Sequence, residues 1–200
     1  KDPSVLDNAH ALAVYSDGGG GHLVLPHLEE IDAFASRGGG ILCMHYAVEV
    51  PAGKAGEAFK RWIGGYYEHK FSSNPHWDAE LRTGPEHPIA RGVKGTPVRD
   101  EWYFSIRFRE DETGIVPILL ATPSDATRSR NGWPPEPYPH IIAASGKVET
   151  LMWAVERPDG GRGVGFTGGH FHRNWAYDTQ RRAILNAMLW VAGAEVPAGG

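Results

Sequence analysis

One cysteine, Cys43, in 200 residues leaves no partner for an internal disulfide, and the chain has no Cys-x-x-Cys and no His-Glu-x-x-His zinc motif. No apolar run approaches the roughly 18 residues that span a bilayer, so no membrane span is expected. Basic residues are scattered and the net charge is -4, so nothing marks a phosphate-neutralising surface, and nucleic acid is not an expected partner. A Gly-x-x-x-x-Gly-Lys-Ser/Thr loop is missing, and Gly18 to Gly21 lacks the dinucleotide fingerprint; no nucleotide cofactor is expected. There is no internal repeat and no linker long enough to divide the chain, so residues 1–200 read as one domain. The compartment stays open between cytoplasmic and exported; a lone cysteine is compatible with a reducing one but does not prove it.

Glycine (26) and proline (15) are plentiful, which points to long, shaped loops rather than a helical bundle. Residues 11 to 16 form a short apolar run that stops at Asp17 and four glycines, as a buried strand does. Leu23 to Arg37 carries Leu28, Ile31 and Phe34 on a helical stripe, closed by Gly38-Gly39-Gly40. Ile41 to Met44 is the next strand, so this run is a strand–helix–strand unit suited to parallel pairing. A second helix is expected over 54 to 63, strands at Trp77 to Leu81 and Ile115 to Ala121, and a strand or irregular edge at Val98 to Ile106. Residues 122 to 139 read as a surface excursion. Val148 to Glu156 and Gly163 to Thr167 flank a turn, giving an antiparallel hairpin. The last helix spans about 178 to 191, with Ile184, Met188 and Val191 facing the core. Only a few polar residues precede the first strand. The sheet is therefore expected to lack one or two strands of a longer parent chain, leaving an apolar face bare or covered by another molecule.

Polar groups collect where strands end. Asp17, His45 and His170 each follow an apolar strand, and in an open parallel sheet such positions converge. His170 and His172 are two apart and should point to opposite sides, so His170 alone is expected to enter a pocket. Asp100 and Glu101 sit among aromatics, and one of the two should face inward and the other outward. Such a carboxylate serves as an acid or base, or joins two histidines on a metal; a salt bridge or a loop cap is the plainer alternative. Cys43 lies inside its apolar run and reads as a small buried hydrophobe. Trp153 and Trp190 fit core faces, whereas Trp102 and Trp175 could stack on a sugar.

The ordered set of motifs resembles one known family. Ala-Val-Tyr-Ser-Asp-Gly-Gly at 13 to 19, Gly-Gly-Gly-Ile-Leu-Cys-Met-His at 38 to 45 and Trp-Ile-Gly-Gly-Tyr-Tyr-Glu-His at 62 to 69 come first. His-Pro-Ile-Ala-Arg-Gly at 87 to 92, Asp-Glu-Trp-Tyr at 100 to 103, Gly-Arg-Gly-Val-Gly-Phe-Thr-Gly-Gly-His at 161 to 170 and Asn186 to Gly193 follow. In this order they resemble the ThuA-like, trehalose-utilisation family, related in fold to class I glutamine amidotransferases. The resemblance implies a flavodoxin-like α/β fold: a mostly parallel sheet sandwiched by helices, with the antiparallel hairpin added. The amidotransferase nucleophile elbow matches His45 rather than Cys43, which speaks against glutamine hydrolysis.

The resemblance further implies carbohydrate metabolism, with His45, His69, Glu101 and His170 at recurrent family positions. The expectation is an enzyme acting on a sugar or 3-keto-glycoside by hydrolysis or elimination. Glu101, His170 and His45 are its catalytic group and, equally, a ligand set for a divalent metal such as zinc. Asp17, Tyr46, His69, Trp102, Tyr103 and Trp175 are the expected substrate contacts. The alternative is a non-catalytic carbohydrate-binding or assembly module of a larger protein. Expected partners are a small-molecule sugar and, beyond it, a homo-oligomer or further domains of the parent.

Overall fold

The computed structural model describes residues 2–130, 132 and 135–200. In chain order its strands and α-helices are β1 (Ala11–Val14), α1 (Leu28–Ser36), β2 (Gly40–Met44), α2 (Lys54–Trp62), β3 (Gly65–Tyr66), β4 (Trp77–Glu80) and β5 (Arg82–Thr83). There follow β6 (Pro97–Asp100), β7 (Arg107–Phe108), β8 (Ile115–Ala121), α3 (Asp125–Arg128), α4 (Pro139–Ala143), β9 (Glu149–Glu156), β10 (Arg162–Phe166) and α5 (Asp178–Val191). Among the described residues the main sheet has the order β1-β2-β10-β9-β8-β5, and β3–β7 and β4–β6 are separate two-stranded ribbons. β1, β2 and β10 pair in parallel, β9 is antiparallel to both of its neighbours, and β5 is antiparallel to β8. Four strands of this sheet thus run one way and two oppose them.

Alternation along β2 shows how both faces are covered. Ile41 and Cys43 join a cluster with Phe34 of α1 and with Phe59 and Trp62 of α2. Leu42 and Met44 join another with Ala183, Ile184, Ala187 and Trp190 of α5. Every β2 residue is buried, as a strand between two helical layers must be. The β9–β10 hairpin closes as expected through Arg157 N–H donating to the Gly161 carbonyl.

Three sequence expectations change. The regular part of the first helix starts at Leu28, not Leu23: Pro26 has no backbone N–H to give, and Leu25–His27 form a 3-10 turn instead. Met188 is 38% exposed, and Ala183, Ala187 and Trp190 supply the core face of α5 beside Ile184 and Val191. The excursion at 122–139 is not wholly superficial. Arg128 is 1% exposed and donates to Glu149 (Nη1–Oε1 2.8 Å) and to the Lys147 carbonyl, pinning α3 to the start of β9. Asn131, Trp133 and Pro134 of that stretch lie outside the described residues.

β1, β2 and β10 deliver their following residues to one edge of the sheet. That edge carries Tyr15 to Asp17, His45 and Thr167 to His170.

Candidate functional site

β2 ends in a sharp turn. His45 takes a left-handed backbone conformation (φ 54°) and opens a 3-10 turn that runs to Val48. Its Nδ1 is 3.1 Å from the Thr167 carbonyl. A carbonyl only accepts, so Nδ1 carries a proton and Nε2 is the nitrogen turned toward the carboxylate. After β10, Gly168 and Gly169 bring His170 over the same edge. A side chain at Gly168 would strike the Trp102 ring at 2.3 Å, and Gly169 has φ +106°, so both positions call for glycine.

The carboxylate arrives from β6. Asp100 is fully buried and works as a clamp. It accepts from the backbone N–H groups of Glu101 (2.8 Å), Gly169 (2.9 Å) and Phe171 (3.1 Å), and from Asn174 Nδ2 (2.9 Å). The end of β6 and the His170 loop are thereby one unit. Glu101, freed from the strand, turns to the histidines with its side chain 13% exposed, so the pair does not divide into one inward and one outward residue.

Glu101 Oε2 lies 3.4 Å from His45 Nε2 and 3.1 Å from His170 Nδ1, and those nitrogens are 3.3 Å apart. Ligands about 2.0–2.1 Å from one tetrahedral zinc ion stand roughly 3.3–3.4 Å from each other. Two imidazoles and a carboxylate at these spacings fit such an ion. So does the outer shell: His45 hands its other N–H to a carbonyl, and Glu101 Oε1 accepts from Asn74 Nδ2 at 3.1 Å. The same triangle also fits a shared proton. Tyr103 Oη stands 3.4 Å from His45 Nε2, and burial together with Glu101 and Glu49 pushes its phenol well above the usual tyrosine range, so it stays a neutral donor.

The trehalose-utilisation (ThuA) family model matches residues 2–191. The chain belongs to the ThuA family. This gives the ThuA chain a carbohydrate-related role. Among solved structures, a ThuA-like protein from Bacteroides uniformis superposes with a TM-score of 0.66 at 14% identity, over 94% of this chain and 71% of that one. A ThuA-like protein from Parabacteroides merdae gives 0.64 at 17% identity, over 98% and 77%. A cytoplasmic protein from Salmonella typhimurium gives 0.57 at 10% identity, over 95% and 74%. At these identities the superpositions show a shared fold. No curated protein matches the chain.

In this ThuA chain two adjoining cavities meet at the triangle. The inner, of about 220 Å³, is lined by His45, Tyr46, Glu49, Tyr67, His69, Asn74, Glu101, Tyr103 and His170. The outer, of about 540 Å³, is lined by Tyr15, Ser16, Asp17, His45, Tyr46, His170 and His172. The structure thus brings together His45, Glu101 and His170, with Tyr46, Tyr103 and His69 around the inner space and Asp17 at the outer. His172 also reaches the outer cavity. The backbone at 172 enters a 3-10 turn instead of continuing extended, so the two histidines are not sent apart. Trp102 departs from expectation: it is fully buried with its indole N–H on the Val98 carbonyl, and no sugar can reach it. Trp175 lines neither cavity and stands edge-on behind Tyr15, with ring centroids 6.5 Å apart. Cys43 is buried in β2 and burial pushes its thiol up to about 12, so it offers no thiolate.

Several participants escaped sequence reasoning. Glu49 lines the inner cavity, and burial plus the nearby Glu101 charge push its carboxyl up to about 7. Tyr67 donates to Asn74 Oδ1 (3.3 Å), and Asn74 in turn steers Glu101. His76 packs on His170 at 5.1 Å between ring centroids. Glu49 and Tyr67 follow no strand of the main sheet, so no periodic pattern flagged them. Tyr67 lay within a quoted motif, which was the only available signal.

Proposed function

We propose that this protein is an enzyme that opens the glycosidic bond of a sugar or 3-keto-glycoside at the His45–Glu101–His170 cluster, by elimination or by hydrolysis. The observation that supports the reading is the convergence of two imidazole nitrogens and one carboxylate oxygen, 3.1–3.4 Å apart, at the junction of two cavities.

A ketone acidifies the neighbouring C–H. A base takes that proton, and the released electron pair passes through the enolate into a new carbon–carbon double bond. The glycosidic oxygen then leaves with its bonding pair and takes a proton. Addition of water across the double bond makes the net change a hydrolysis. Glu101 and His170 serve as base and acid, and His45, with its tautomer set by Thr167, orients the substrate. Glu49 lies in the same inner space outside the triangle, and a carboxyl near about 7 both gives and takes a proton at neutral pH. His45, Glu101 and His170 would hold a divalent ion such as zinc, which when bound supplies Lewis-acid polarisation of the keto oxygen and a more acidic water.

Turnover of 3-keto-glucosides, measured after chelation and after adding back single divalent metals, tests the reading together with elemental analysis of the purified protein. Conversion that falls at least about 100-fold in Glu101→Gln is expected. Absence of turnover in every metal condition overturns the enzymatic reading and leaves a carbohydrate-binding module.

A further inference from the structure

We propose a second binding site, at the opposite end of the sheet from the His45–Glu101–His170 cluster: a cavity of about 410 Å³ in which Arg109 holds a small organic monocarboxylate. Among the described residues it shares no lining residue with the two cavities above.

Four places in the chain build it. α1 ends at Ser36, shortly before β2 begins, and α2 ends at Trp62. Arg109 follows β7, and Arg157 to Asp159 open the turn between β9 and β10. His45 and His170 lie beyond the other ends of β2 and β10, so the length of the sheet separates the two sites.

Three arginines line the cavity, and their charges are answered differently. Arg157 is 6% exposed and donates to the carbonyls of Trp62 (3.0 Å), Ala35 (3.1 Å) and Gly39 (2.6 Å), while its Nε pairs with Asp159 (3.3 Å). Ala35 and Trp62 belong to the last turns of α1 and α2, where a cation is at home. Arg61 pairs with Asp32 at 2.9 Å. Arg109 has no such answer. Its backbone N–H is tied to the Gly64 carbonyl at 3.0 Å, but among the described residues its Nε is buried without a hydrogen-bond partner and its guanidinium enters no ion pair. Burial holds its ionisation below the usual arginine value, as desolvation of an unanswered cation does. A ligand that brings an acceptor removes that cost, and the guanidinium fork matches the two oxygens of a carboxylate.

Charge and size set the class. Asp32 and Asp159 balance two of the three arginines, so one positive charge remains for one negative charge. A phosphate dianion would bring a surplus beside those two aspartates. The volume falls within the roughly 300–1,000 Å³ of small-molecule pockets, which leaves room for a body of about one ring against the apolar walls of Ala35, Trp62 and Pro158.

The test is a titration of the nitrogen-15-labelled protein with benzoate at constant ionic strength, followed by nuclear magnetic resonance. The Arg109 Nε–H signal is identified by its loss in Arg109→Gln, and the Trp62 indole N–H reports from the cavity wall. Both signals should shift saturably, with a dissociation constant of about 1 mM for so small a ligand. Benzamide, of the same shape without the charge, and inorganic phosphate should each bind at least about tenfold more weakly. In Arg109→Gln benzoate should no longer move the Trp62 signal. In Arg61→Gln, a 59% exposed position whose loss leaves Asp32 unanswered, affinity should fall about threefold. Signals unmoved by benzoate, moved equally by benzamide or by phosphate, or a Trp62 shift that survives in Arg109→Gln, each overturn the inference.

Discussion

His45 is held in a left-handed backbone conformation that costs a non-glycine residue about 1–3 kcal/mol. Its surroundings over-determine it: the Thr167 carbonyl fixes one nitrogen, and the Tyr103 ring packs at 4.9 Å between centroids. Glu49 is the other residue whose state the surroundings set. In the unfolded chain its carboxyl ionises near the ordinary 4.5, and in the folded chain only near about 7. Between those values the unfolded chain has released a proton that the folded chain keeps. Stability therefore falls as pH rises through that window and levels off above it. In Glu49→Gln this part of the pH dependence disappears. Melting temperatures of chelated wild type and variant, measured from pH 4 to 8, should diverge, with wild type losing ground as pH rises. Parallel curves would show that Glu49 is not buried beside Glu101 as described.

At the level of elements, the loop after β10 and the end of β6 act as one piece because Asp100 gathers donors from both. Asp100→Ala strands those donors in a dry place. A loss of about 3–5 kcal/mol in urea unfolding is expected, with a smaller loss for Asp100→Asn, which keeps one carbonyl acceptor. Retention of wild-type stability by the alanine variant would show that the clamp bears no weight. Arg128 and Glu149 do a similar job further along, joining α3 to β9 where the sequence suggested only a surface excursion. Both fastenings pair residues distant in sequence: Asp100 holds Gly169 and Phe171 from 69 and 71 positions away.

For the whole molecule, any ligand that binds only the folded chain raises its stability by mass action. The triangle exists only when β2, β6 and β10 are assembled, because it takes one residue from beyond each. Zinc at about 100 times its dissociation constant should therefore add about 2.7 kcal/mol to unfolding. His170→Ala, whose side chain is 42% exposed, should fold but lose most of that gain. Thermal scans with and without zinc measure both, and equal zinc shifts in the two proteins would exclude the triangle as the metal site. Among the described residues no helix is long and apolar enough to cross a membrane, in keeping with the short apolar runs of the sequence.

The sequence by itself determined the α/β class, the β9–β10 hairpin, the closing helix over 178–191 and the positions of His45 and His170 beyond strands. Each follows from local rules: apolar runs of strand length, glycine stops, helical periodicity. It also named Glu101, through an acidic pair among aromatics and a family motif. Only the tertiary structure decided that Asp100 clamps while Glu101 reaches the histidines, that Trp102 is walled in, that His172 shares the outer cavity, and that Glu49, Tyr67 and Asn74 complete the inner one. Those outcomes depend on where β6, the turn after β2 and the loop around residues 67–74 meet in space. Local periodicity reports which way a side chain points along its own element, and carries no term for what another element brings to meet it.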